Sequence, residues 1–257
     1  MSWWGSQDAT SPIVISFGWF GAAGALVLFM SPASTTFRRI VAEGSVLNFD
    51  HSPYVISLIQ CSFWVAYTSM LPGLVEPLVT NALGAALEAT YCAIFVRFSS
   101  THKCAQHIAS ACAAFGMVLV VAHVVPFPRL GGATPEASFV GIAACALNII
   151  MYASPLNVAC MVIRTKSVEF MPLSLTVGTL TCSACWTAYS YALGDLFIFL
   201  PSILGVLLAF FQLILYSCYY RPGGRRALFA TKECTLRGED EEAGISFEIE
   251  PGPVATR

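Results

Sequence analysis

Apolar residues in this chain come in long unbroken runs, separated by short segments where charge, Pro and Gly collect. The runs cover Ile13–Met30, Pro53–Leu71, Val75–Phe98, Cys104–Val124, Ala137–Ser154, Pro172–Leu193 and Phe197–Tyr220. A helix needs about 20 mostly apolar residues to cross a bilayer, and each run is close to that length. Continuous runs, rather than alternating apolar and polar positions, select helices over a barrel. The pattern predicts an all-α membrane protein of seven transmembrane helices. The loops are short, so chain neighbours should pack side by side.

Composition agrees. The chain is 56% hydrophobic and 11% charged, with a mean hydropathy of +0.71. Soluble domains carry about 25% charged residues, so lipid is the solvent that fits. A net charge of -2 gives no reason to expect nucleic acid. Most of the ten cysteines, among them Cys61, Cys92, Cys112, Cys145 and Cys218, lie inside apolar runs, where Cys acts as a small hydrophobe. Cys182 and Cys185 make a Cys-x-x-Cys spacing, but no second ligand pair follows to support a zinc or redox site. Residues 1–12 hold no Lys or Arg. They lack the basic region of a cleaved signal peptide, so the first run is read as a retained span.

Lys and Arg set a direction. Arg38, Arg39, Arg97, Lys103, Arg164, Lys166, Arg221, Arg225 and Arg226 fall in one set of loops, and only Arg129 in the other. Basic loops stay cytosolic, which puts the N-terminus outside and the C-terminus in the cytosol. The tail, 221–257, begins basic and turns acidic at Glu239–Glu242. It reads as disordered, with its basic start near anionic lipid heads.

The chain also repeats itself. Ser-Pro, a basic residue, Ser-Val, Phe and a second Pro follow both the first and the fifth run. Pro32 matches Pro155, Ser45 matches Ser167, Phe49 matches Phe170 and Pro53 matches Pro172. Runs two and six carry "WVAY" and "WTAY", at Trp64–Tyr67 and Trp186–Tyr189. Runs three and seven carry "TNALG" and "PSILG", which pairs Asn81 with Ser202 and Gly84 with Gly205. The organisation is therefore an extracellular stretch 1–12, a three-helix repeat 13–98, a linker helix with its loops 99–136, a second repeat 137–220, and the tail 221–257. The odd linker span gives both triple-helix bundles the same orientation.

The stretches "YASPLNVACMVIRTKSVEFMPLSLTV", "TNALGAALEATY" and "FFQLILY" resemble the SWEET sugar transporters, over about Phe17 to Tyr220. Parallel repeats about an axis along the membrane normal belong to that family. The resemblance implies bidirectional passive transport, a uniport, of small sugars by alternating access. No cofactor is implied, and no nucleophile–base pair or metal-ligand cluster suggests an enzyme. A proton-coupled carrier of the wider PQ-loop class and a seven-helix receptor are the rival readings. The first would carry Pro-Gln where this chain has Pro32-Ala33 and Pro155-Leu156.

Polar side chains inside lipid are costly and point to function. Here they are Gln60, Asn81, Glu88, Asn148, Ser202 and Gln212. By resemblance Asn81 hydrogen-bonds the sugar; an interhelical hydrogen bond is the plainer explanation. Family members usually carry Asn where Ser202 stands, so a direct contact there is lost or water-bridged. Trp64 and Trp186 sit mid-span, where an indole can stack on a sugar or simply fill the core. Leu28 and Met151, each four residues before a proline, correspond to the family positions that set pocket width. Bulky residues there suit hexoses such as glucose, and Asn148 bends that preference. Pro32, Pro53, Pro155 and Pro172 are expected at cytosolic helix ends as hinge and inner gate. Tyr67 and Asp195 resemble the extracellular gate pair. Glu88 has no second acid or histidine to relay a proton, which favours uniport. Plasma membrane is the default location, with a vacuolar or other internal membrane open. Oligomeric state is open too, because Gly18, Gly21 and Gly24 suit packing within a chain as well as between chains.

Overall fold

The computed structural model describes residues 11–99, 103–124, 129–130, 133–169 and 171–220. The tail 221–257, Phe170 and all but the last two residues of the N-terminal stretch 1–12 lie outside the described residues. The described residues are helical and contain no strand. The helices are α1 (Pro12–Glu43), α2 (Ser52–Ser69), α3 (Val75–Phe98), α4 (Lys103–Val124), α5 (Pro135–Thr165), α6 (Leu173–Leu193) and α7 (Leu196–Tyr219).

Local chemistry explains many of the boundaries. Pro12, Pro53 and Pro135 open α1, α2 and α5 in the first turn, where the missing N–H costs nothing. Thr134 caps α5 through its hydroxyl, 3.2 Å from the Ala137 amide. Gly44 and Gly194 end α1 and α6 with φ of 64° and 72°, the left-handed stop that glycine allows. Asp50 Oδ1 accepts from the amide and hydroxyl of Ser52 at the start of α2. Those bonds, the amide first, hold its carboxyl below the usual range.

Pro32 lies inside a continuous span, whereas Pro155 falls in the first turn of the segment Ala153–Thr165, just after a break at Tyr152. α1 runs on past Pro32 to Glu43, and α5 past Pro155 to Thr165. Proline takes away the donor for the carbonyl four residues back. At Pro32 that carbonyl, Leu28 O, accepts instead from Ser31 Oγ at 2.8 Å. The next turn, Ala33–Phe37, relaxes into a π-helix, a form common at functional points in helices. At Pro155 the helix breaks one turn earlier, where the Tyr152 amide bonds back to Ile149 O at 3.1 Å. Pro53 and Pro172 do lie at helix starts.

α1, α3, α5 and α7 are each long and apolar enough to cross a membrane. Ile13, Phe20, Val27, Val124 and Leu207 are all more than half exposed. A surface of this kind belongs in lipid, and the protein is a multi-pass membrane protein.

α3 packs against both α1 and α2, and α7 against both α5 and α6. The two groups meet where α1 lies on α6 and α2 lies on α5, while α4 fills in beside α2, α3 and α5. Gly18, Gly21 and Gly24 make the α1–α6 contact close. A Cβ at these positions would come within 2.9 Å of Tyr189, 3.0 Å of Trp186 and 3.2 Å of Cys182. The glycine stripe is therefore used within the chain, as small residues are between membrane helices.

The core is divided unevenly. At the end that carries Tyr67 and Tyr189, one cluster joins both groups: Val14, Phe63, Trp64, Val140, Tyr189 and Phe197 belong to it. At the opposite end each group has its own cluster. Phe37, Ile40, Tyr91 and Phe95 form one. Ala159, Val162, Met171 and Leu215 form the other.

Candidate functional site

Midway along the bundle lies a cavity of about 160 Å³. Its polar lining is Gln60, Thr80, Asn81, Asn148 and Ser202, and its aromatic walls are Phe29, Trp64 and Trp186. Both helix groups contribute. Five residues expected from the sequence, Asn81, Ser202, Trp64, Trp186 and Asn148, thus come together around one space.

Asn81 and Ser202 occupy matching places and make matching bonds. Asn81 Nδ2 donates to Pro77 O at 2.8 Å, and Ser202 Oγ donates to Ile198 O at 2.7 Å. Each bond returns to the carbonyl one turn back in the same helix. Neither is the interhelical bond that would make Asn81 purely structural. The Asn81 carbonyl oxygen and the Ser202 lone pairs are left as acceptors for a guest. The shorter serine leaves more room on its side than an asparagine would.

Trp64 is 6% exposed and Trp186 half-buried. Each meets a tyrosine one turn on. Trp64 lies edge-on to Tyr67 at 5.8 Å between centroids, and Trp186 edge-on to Tyr189 at 5.5 Å. The aromatic walls thus lead from the cavity to the shared core.

Gln60 Nε2 donates to Asn148 Oδ1 at 2.6 Å, from α2 across to α5. Gln60 stands out in the sequence as a polar residue in an apolar run, yet only the structure pairs it with Asn148. Ala25 of α1 and Cys61 of α2 also line the cavity. Leu28 and Met151 are not among the lining residues. Ala25 and Phe29 share the cavity face of α1, and one residue is a turn of about 100°, so Leu28 points aside towards Gly178 of α6.

Above the cavity, Tyr67 OH donates to Asp195 Oδ2 at 2.8 Å. Asp195 is also the N-cap of α7, with Oδ1 accepting from the amides of Phe197 and Ile198 at 2.9 and 3.1 Å. One carboxylate thus fixes a helix start and ties it to the other group. At the far end Pro53 and Pro172 are exposed, while Pro32 and Pro155 are half-buried. A second cavity of about 230 Å³, lined by Pro155, Met171, Pro172, Thr176 and Gln212, lies there. Glu88 does not line the central cavity. It is buried in the first group, with Oε1 accepting from Ser57 Oγ at 2.9 Å.

The family model described as "Sugar efflux transporter for intercellular exchange" matches residues 15–103 and again 138–223. The chain belongs to the SWEET family. It is 39% identical over 215 residues to the bidirectional sugar transporter SWEET4 of Oryza sativa subsp. indica, covering 80% of each chain. It is 36% identical over 211 residues to the bidirectional sugar transporter SWEET2a of Sorghum bicolor, covering 79% of this chain and 84% of that one. Its fold matches the 3.7 Å structure of a eukaryotic SWEET transporter with a TM-score of 0.73 at 33% identity, over 80% of this chain and 96% of that chain. The SWEET family is one of transporters, not enzymes.

Proposed function

We propose that this SWEET protein is a bidirectional uniporter of small sugars, hexoses such as glucose first, working by alternating access. The observation that carries this is the central cavity, where amide, hydroxyl and indole groups from two matched helix groups converge. Hydroxyl partners together with flat apolar faces suit a pyranose ring. All seven helices cross the membrane in this reading. They form two parallel triple-helix bundles joined by α4, with the N-terminus outside and the C-terminus cytosolic.

Asn81, Ser202, Trp64, Trp186 and Asn148 hold the sugar, while Leu28 and Met151 tune pocket width from behind its wall. The Tyr67–Asp195 bond is the outer gate, and Pro32, Pro53, Pro155 and Pro172 are the hinges of the inner one. The shared core at the Tyr67 end and the separate cores at the proline end fit a state closed outside and loosened towards the cytosol. Glu88, set away from the cavity, supports transport without a coupled proton. The plasma membrane is the location this reading favours.

The test is uptake into liposomes containing the purified protein. Labelled glucose should equilibrate in either direction, at a rate that an imposed pH gradient leaves unchanged. No exchange of glucose, fructose, galactose or sucrose under any gradient would overturn the reading.

A further inference from the structure

We propose that Glu76 and Tyr189 form a second outer latch, so that two tyrosine–carboxylate bonds close this transporter where the sequence resemblance pointed to one. The proposal rests on the alternating-access reading. Tyr189 OH donates to Glu76 Oε2 at 3.0 Å, from α6 to the first turn of α3. The bond therefore joins the two helix groups at the same end as Tyr67–Asp195, which joins α2 to the start of α7. Glu76 is 6% exposed and Tyr189 1% exposed.

The two latches have the same mount. In α5, Gly141 lies directly over Tyr67 and Phe197, and a Cβ there would be 2.9 Å from each ring. In α1, Gly18 lies over Tyr189 and Glu76, and a Cβ would be 2.9 Å from the ring and 2.8 Å from Glu76 Cγ. Gly18 and Gly141 occupy matching places in the repeat, as do the two tyrosines. Glu76 stands where the other half has Phe197. One half thus brings its carboxylate from the α7 cap, two residues before the phenylalanine; the other puts a carboxylate at the phenylalanine position itself. A carboxylate buried against an apolar core is costly unless it is bonded, and the Tyr189 hydroxyl provides that bond. When the halves part at this end, both tyrosines lose their partners together.

The experiment uses the full-length chain in cells, with Ala25→Cys as a reporter in the central cavity. A membrane-impermeant maleimide is added outside, and modification of residue 25 is read by mass spectrometry with and without glucose. Tyr189→Phe and Glu76→Leu should each speed labelling from outside about tenfold, the effect of losing one hydrogen bond to a charged group. Glu76→Gln, which keeps an acceptor for Tyr189, should stay near the parent rate. Tyr67→Phe is the comparator. If Tyr67→Phe speeds labelling and neither Tyr189→Phe nor Glu76→Leu does, the second latch is overturned while the gate reading stands. If none of the three speeds it, the gate reading fails along with it. If Tyr189→Phe and Glu76→Leu label equally from both faces, and glucose does not slow them, the pair is a folding contact and the proposal is wrong.

Discussion

The Tyr67 hydroxyl and the Asp195 carboxylate meet 2.8 Å apart across the boundary between two helix groups, and the same carboxylate caps α7 through its other oxygen. Its two oxygens can be tested separately. Tyr67→Phe removes only the bridging bond. Asp195→Ala removes the bridge and the cap, and loss of a cap costs about 1 kcal/mol by itself. Thermal unfolding in detergent should therefore show a larger fall in Tm for Asp195→Ala than for Tyr67→Phe, and a smaller fall for Asp195→Asn than for Asp195→Ala because Asn still caps. Equal falls for all three would mean that the cap oxygen contributes nothing.

Gly141 and Gly116 make a matched pair of probes. A Cβ at Gly141 would press on Tyr67 and Phe197, whereas one at Gly116 would meet nothing within 4 Å. Overpacking a tight interior costs about 1–3 kcal/mol. Gly141→Ala should be destabilised by that amount, and Gly116→Ala should match or exceed the parent, since Ala is the better helix former. The check is the same unfolding assay; a neutral Gly141→Ala would show that the outer contact is slack.

Asn81 offers the cavity an amide that a methyl cannot replace. Uptake in a hexose-transport-deficient yeast should vanish in Asn81→Ala. Ser202→Asn, which restores the pairing of two amides, should keep or raise it. Unchanged uptake in Asn81→Ala would remove that residue from the site.

Asn148 and Gln60 hold each other across one wall of the cavity at 2.6 Å. Asn148→Ala breaks that bond and opens space beside it. Discrimination by pocket size is worth about 1–3 kcal/mol, so competition between glucose and sucrose should shift towards sucrose by roughly tenfold or more. An unaltered ratio in the competition assay would place the selective wall elsewhere.

Much of this architecture can be read from the chain because lipid forces long apolar runs to become helices. The repeat then points to Asn81, Ser202, Trp64 and Trp186, since positions that recur in two halves are constrained twice. Three things escape that reading. Whether a helix stops at a proline depends on whether another donor reaches the freed carbonyl, as Ser31 does for Leu28. Which residue faces the cavity depends on helix phase to within one residue, which is why Ala25 and Phe29 line it and Leu28 does not. The partner of Glu76 lies more than a hundred residues away on α6, and no local pattern marks Tyr189 as its donor.

The division of the core, shared at one end and separate at the other, has a thermal consequence. Parting the halves at the Tyr67 end wets a cluster that both of them build, and exposing apolar surface raises heat capacity. The balance between the two facing states should then follow a curve with temperature rather than a straight van't Hoff line. In the proposed alternating-access cycle, the direction in which the sugar-free carrier faces should therefore shift with temperature.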